Sequence, residues 1–263
     1  MKANFHTHST FCDGKSTPEE IVRAAIQKGF GAIGFSSHSE MLQDPEAYVR
    51  EIHRLKAAYR GQIRILCGIE ADWPCPLDLK PYDYVIGSVH FVPTPHGGRL
   101  AVDDTPEILL NGIRDEFGGS AERFVRAYFK TEREMIVAGA FTILGHPDLV
   151  RKFNAKTPYF DETAAWYNEE LVQTADAIKK SGKRVEINTG AISRGWMDDA
   201  YPSAAFRALL RARGVRFILS SDAHAADALD CAFDRFKADI SRGASIGGTR
   251  IADLGAKKLV LAR

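Results

Sequence analysis

Six of the eight histidines stand where short apolar runs end: His6 and His8, His38, His90, His146 and His224. Glu70 closes another such run in Gly68-Ile69-Glu70, and Asp222 precedes His224 by two residues in Ser220-Ser221-Asp222-Ala223-His224. Neutral imidazole and carboxylate oxygen are ligands for Zn, Mn and Fe, and one carboxylate can bridge two ions. The set therefore predicts a site for two or three divalent metals. Two closely spaced ions suit in-line displacement at phosphorus. Any one of these histidines alone would more often be structural; six gathered at run ends point to a metal centre. His53, inside a helical stretch, and His96, in a long polar loop, are read as surface residues.

The elements that must position this set alternate along the chain. Candidate strands cover residues 3–8, 32–36, 63–67, 84–88, 140–144, 184–188 and 215–220. His6 and His8 fall on the same face of the first, since alternate residues of a strand point the same way. Thr17-Pro18-Glu19-Glu20 supplies a capping Thr, a Pro at the first helical position and a Glu at the third, which opens a helix to about Lys28, stopped by Gly29. Asp44-Pro45-Glu46 starts a second helix, to about Tyr59. Further helices are expected near 106–116, 121–138, 162–180 and 204–213, with a polar loop at 93–104. Strands alternating with helices argue for parallel β/α units, and seven of them for a closed or nearly closed α/β barrel forming a single domain over 1–263. An open doubly wound sheet is the structural competitor. In a parallel barrel the carboxyl ends of all strands meet at one mouth, which is where the histidines fall.

Composition narrows the function classes. Lys+Arg 35 against Asp+Glu 34 leaves a formal net charge of +1, with no basic stripe for a nucleic-acid polymer. No run of about 18 apolar residues offers a membrane span. The opening residues Met1-Lys2-Ala3-Asn4-Phe5-His6 hold no signal-peptide pattern. Cys12, Cys67, Cys75 and Cys231 are scattered without a C-x-x-C pair. Free thiols and a cytoplasmic location are expected.

The spaced motifs His6-x-His8, His38, Glu70, His90, Gly145-His146-Pro147-Asp148 and Asp222-x-His224 together resemble the polymerase-and-histidinol-phosphatase (PHP) family over nearly the whole chain. The resemblance implies a distorted seven-unit barrel with a trinuclear metal centre. It also implies the ligands: His6, His8, Glu70 and Asp222 for one ion, Glu70, His90 and His146 for a second, and His38 and His224 for a third. Many relatives place another histidine after the first motif, where this chain has Asp13 in Phe11-Cys12-Asp13-Gly14. Asp13 is read either as an oxygen ligand or as a turn residue before Gly14.

Three segments look like the histidinol-phosphatase branch: residues 145–153, Glu186-Ile187-Asn188-Thr189-Gly190, and Ala200-Tyr201-Pro202-Ser203. The implied reaction is hydrolysis of a small phosphomonoester, L-histidinol phosphate, with Asp222 or His224 relaying a proton to the leaving alkoxide. Arg151, Lys152 and Arg194 are the cations considered for phosphate; Arg151 and Arg194 are preferred, because arginine grips phosphate through two parallel hydrogen bonds. Glu186 and Asn188 are read as groups that orient ligand histidines or cap a strand end. Asp103, Asp104 and the stretch 196–199 are considered for the substrate ammonium and imidazole. The rival readings are a PHP phosphoesterase acting on nucleotides or oligonucleotide ends, a non-catalytic metal-binding barrel, and an amidohydrolase, which would want a strand-end lysine not found here.

Overall fold

The computed structural model describes residues 1–241. The chain alternates strand and helix from the start: β1 (Ala3–Asn4), α1 (Pro18–Gln27), β2 (Ala32–Phe35), α2 (Pro45–Ala58), β3 (Arg64–Asp72) and β4 (Tyr84–Ser88). An antiparallel hairpin of β5 (Phe91–Pro93) and β6 (Arg99–Ala101) follows, then α3 (Pro106–Glu116) and α4 (Ala121–Ala138). Beyond these come β7 (Ile143–Leu144), α5 (Ala165–Ser181), β8 (Arg184–Asn188), the short α6 (Gly190–Ser193), α7 (Ala204–Ala212), β9 (Phe217–Ser220) and α8 (Phe233–Ser241).

Local chemistry explains the helix starts. Thr17 and Glu20 form a reciprocal capping box at α1, the Glu20 carboxylate accepting from Thr17 N–H at 2.8 Å. Asp44, Thr105, Ser120 and Ser203 each accept a backbone N–H at the starts of α2, α3, α4 and α7. Pro occupies the first turn of α1, α2 and α3, where its missing N–H costs nothing.

The larger sheet runs in the order β1-β2-β3-β4-β7-β8-β9, with every adjacent pair parallel. Just past β1 and β9 the ring is joined by a parallel bridge between Thr7 and Ala223, with His8 N–H donating to Ala223 O at 2.8 Å. The expected seven-stranded α/β barrel is therefore present, nearly closed. Its distortion is visible in β3, which pairs with β2 over Arg64–Cys67 and with β4 over Gly68–Asp72. That split explains why β3 continues five residues past the 63–67 expected from apolar patterning. Conversely, β7 is two residues long where 140–144 was expected. The expected polar loop 93–104 is largely the β5–β6 hairpin, whose three-residue strands are too short to show alternation.

Helices pack outside the barrel on one large apolar core, while Phe5, Ala32, Leu66, Tyr84, Ile86 and Ile143 form a second cluster inside it. Tyr84 crosses that interior and donates to the carbonyls of Phe5 (2.6 Å) and Phe35 (3.0 Å). Gly34 and Gly68 leave it room: a Cβ on Gly68 would lie 2.2 Å from the Tyr84 ring. Gly68→Ala is accordingly expected to destabilise the fold by about 1–3 kcal/mol through overpacking, read as a lower denaturation midpoint at unchanged slope. An unchanged midpoint would mean that the ring does not bear on this strand.

All four cysteines are free. Among the described residues, no helix is long and apolar enough to cross a membrane.

Candidate metal centre

Glu70 sits at the centre of the barrel mouth, fully buried near the end of β3. Its Oε2 lies 3.1 Å from His6 Nε2, 3.4 Å from His8 Nε2 and 3.0 Å from His38 Nδ1. Its Oε1 lies 2.9 Å from His146 Nε2 and 3.6 Å from His90 Nε2, and accepts from Ser88 Oγ at 2.6 Å. Asp222 approaches from the far side of the ring, with Oδ1 3.1 Å from His8 Nε2 and 3.6 Å from His6 Nε2. It adopts φ 48°, a conformation costly for a residue with a Cβ, and such strain is held where a side chain must be aimed.

Asp13 occupies a turn closed by Ser9 O and tied to the opposite strand end by Lys15 N–H donating to His224 O at 2.7 Å. The turn carries its carboxylate to 3.1 Å from His224 Nε2 and 3.8 Å from both His8 Nδ1 and His38 Nε2. Asp13 is thus both a turn residue and one of a four-residue cluster with His8, His38 and His224. All nine residues singled out as ligands from sequence fall into such clusters: His6, His8 and Glu70 in one, Glu70, His90 and His146 in another, and Asp222 with His6 and His146.

Metal fits this arrangement on two counts. His6 Nε2, His8 Nε2, Glu70 Oε2 and His146 Nδ1 are buried without a hydrogen-bond partner. Leaving such groups unsatisfied costs about 1–3 kcal/mol each, and the first three face one another. The separations near 3 Å also suit the donors of one coordination shell, since bonds of about 2.0–2.1 Å set neighbouring ligand atoms roughly 3.0–3.4 Å apart.

Charge is tightly coupled here. Burial opposes a proton on His6, but Glu186, Glu70 and Asp222 outweigh it and raise its pKa well above that of free imidazole. His90 is raised likewise against burial, by Asp72 and Glu70, and His38 by Glu70. His8 goes the other way, down to about 3, through burial and the neighbouring His224 and His38. Glu70 and Asp222 are held well below the carboxylate range: burial would raise them, but the surrounding histidines, and Arg194 beside Asp222, prevail. A cation must displace the protons on His6, His38 and His90, so its affinity is expected to rise with pH. The metal-free fold has the opposite dependence from these three groups. Their contribution is complete below the unfolded imidazole value and is lost as pH climbs through the raised folded values. Chelator competition between about pH 6 and pH 8 checks the first statement, and a pH-independent affinity would contradict it.

The next layer orients the imidazoles. Glu186 on β8 accepts from His6 Nδ1–H at 2.9 Å and from the His146 backbone N–H at 2.9 Å, and is itself held by Asn188 Nδ2 at 2.8 Å. Asp72 accepts from His90 Nδ1–H. Asp72 was missed from sequence: it lies beyond the apolar run 63–67, and only pairing with Ser88 places it on the same face of β3 as Glu70. Asp72→Ala is expected to weaken metal binding about 10–100-fold, measured by chelator competition, and unchanged affinity would show that His90 needs no such partner.

The expected phosphate cations separate. Arg194, the residue after α6, stands at the rim, donating to Asp222 O and Oδ2 at 3.0 Å each and lying 3.1 Å from His224 Nδ1. Arg151 is buried between Glu162, which accepts from Nε at 2.6 Å, and Asp148, 3.5 Å from Nη1, an atom left without a hydrogen-bond partner. Lys152 donates to Asp103 O at 2.6 Å and Oδ2 at 3.1 Å. Burial would raise the Asp103 carboxyl, but His90, Lys152 and His146 hold it low. Asp104 is exposed, and Asp199 is engaged by Arg207. His53 is exposed on α2, and His96 pairs with Glu116 at the surface.

Comparison with known proteins agrees with this geometry. The histidinol-phosphatase of Bacillus subtilis is 27% identical over 272 residues, covering 90% of this chain and 98% of that protein. The histidinol-phosphatase of Lactococcus lactis is 29% identical over 245 residues, covering 86% and 85%. The crystal structure of histidinol phosphate phosphatase from Lactococcus lactis, complexed with Zn, L-histidinol and phosphate, shares the fold, with a TM-score of 0.71, 22% identity, and coverage of 92% of this chain and 93% of that one. The model of the PHP domain matches residues 4–190, well over half of the chain, and with the metal-ready cluster at the mouth of a seven-stranded barrel this shows that the chain belongs to the PHP domain family.

Proposed function

We propose that this chain is a metal-dependent phosphomonoesterase that hydrolyses L-histidinol phosphate to L-histidinol and phosphate, as one domain spanning 1–263. The observation that carries the metal dependence is the buried Glu70 carboxylate within 3.6 Å of nitrogens from five histidines. The substrate rests on relatives named histidinol-phosphatase at 27–29% identity across most of their length.

Two or three divalent ions, Zn, Mn or Fe, would be held by His6, His8, Glu70 and Asp222, by Glu70, His90 and His146, and by Asp13, His38 and His224. When bound, such ions polarise phosphoryl oxygens and lower the pKa of water. The protein's own groups do the rest. Arg194 would grip a phosphate oxygen from the rim while keeping Asp222 aimed inward. Asp222 is held ionised and has no proton to give, so His224, in reach of Arg194, would pass a proton to the leaving alkoxide oxygen where the third ion is absent. Asp103 offers a carboxylate to the substrate ammonium. Arg151 would act more remotely, bracing the loop between Asp148 and Glu162 beneath the phosphate. The unpaired cysteines accord with a reducing cytoplasm.

Phosphate release tests the substrate. With Mn or Zn added, kcat/KM for L-histidinol phosphate is expected to exceed that for nucleoside monophosphates and sugar phosphates by roughly 100-fold or more. Release from nucleotides alone would keep the metal chemistry and overturn the substrate. No release from any phosphomonoester by metal-loaded protein would overturn the enzyme reading.

A further inference from the structure

A neutral imidazole carries its proton on one nitrogen and a lone pair on the other, and only the lone pair binds metal. Two of the candidate ligands have this choice made by an oxygen acceptor at the nitrogen turned away from the cluster. Glu186 serves His6 and Asp72 serves His90, whereas His224 Nδ1 faces both an acceptor, the Asp222 carbonyl at 3.0 Å, and a donor, Arg194 Nη1 at 3.1 Å. His8 is fully buried, and its Nε2 has no hydrogen-bond partner although it points among Glu70 and Asp222. Its other nitrogen, Nδ1, lies 3.4 Å from Cys12 Sγ. The neighbouring carboxylate oxygen, Asp13 Oδ1, is 3.8 Å away, beyond hydrogen-bond reach. Cys12 is held there by the turn that follows His8, its own N–H donating to Ser9 O at 2.9 Å.

We propose that Cys12 is the positioning residue for His8: its sulfur accepts the Nδ1–H and thereby leaves the Nε2 lone pair free for the metal centre. This rests on the metal-centre reading above. Sulfur is a weak acceptor, so His8 is the least firmly poised of the three imidazoles with such a partner.

The test uses protein stripped of metal, with zinc returned against a competing chelator, for wild type, Cys12→Ala and Cys12→Ser. Loss of the partner is expected to weaken zinc binding about 10–100-fold in Cys12→Ala, whereas the serine hydroxyl, also an acceptor, restores it to within a few-fold. The melting temperatures of the three stripped proteins are expected to agree closely. Nitrogen NMR of the His8 ring in stripped wild type should show the proton on Nδ1, and in Cys12→Ala a shift toward Nε2–H. Wild-type affinity in Cys12→Ala would overturn the proposal while leaving the metal centre intact. Serine no better than alanine would also overturn it, assigning Cys12 to packing. A wild type that binds no zinc would overturn the proposal together with the reading beneath it.

Discussion

Glu70→Gln is expected to abolish phosphate release, by at least about 10³-fold, because metal charge at a phosphoryl centre supplies several kcal/mol of transition-state stabilisation. Glu70 presents one oxygen to His6, His8 and His38 and the other to His146 and His90, so it is the only carboxylate among the described residues placed to serve two of the clusters at once. An amide keeps the volume but replaces one anionic oxygen by an N–H donor facing imidazoles, which removes both the charge and the bridge. Elemental analysis of the dialysed variant should show metal lost alongside turnover. Wild-type turnover in Glu70→Gln would refute the bridging role.

Arg194→Ala is expected to lower kcat/KM by roughly 10²–10³-fold, the scale for removing one donor aimed at developing charge. Two effects contribute: loss of a cation at the rim, and release of Asp222, which Arg194 holds through both the carboxylate and the carbonyl. Free guanidinium separates them, since partial rescue at saturating metal requires an open cation site. Gly190 supports the same pair, for a Cβ there would lie 2.7 Å from Asp222 Oδ2 and 2.8 Å from Arg194 Nη2. Unchanged kcat/KM in Arg194→Ala would remove this residue from the phosphate site.

Much of this arrangement was legible in sequence because barrel geometry turns strand ends into a meeting point. His6, His38, Glu70, His90, His146 and Asp222 follow or close apolar runs, and knowing that the strands are parallel is enough to gather them. Glu186 could be read as an orienting group for the same reason, as an alternate residue on a clear strand. Asp72 could not, since apolar patterning ends β3 at Cys67 and leaves Asp72 in a loop. Its strand character comes from pairing with Ser88 on β4, a tertiary fact. The partners of Arg151 were hidden similarly. Glu162 lies eleven residues away in sequence, and only folding brings it within 2.6 Å. The β5–β6 hairpin escaped notice because three-residue strands carry too little pattern. Asp13, ambiguous between turn and ligand, proves to be in a turn that delivers its carboxylate to His224.

The central claim is that this histidine-rich mouth catalyses phosphomonoester hydrolysis only when loaded with metal. The most direct measurement is phosphate release from L-histidinol phosphate by chelator-stripped protein during stepwise return of Mn or Zn. No turnover is expected in the stripped protein, and full recovery at roughly two to three equivalents per chain. Undiminished turnover after stripping would contradict the claim.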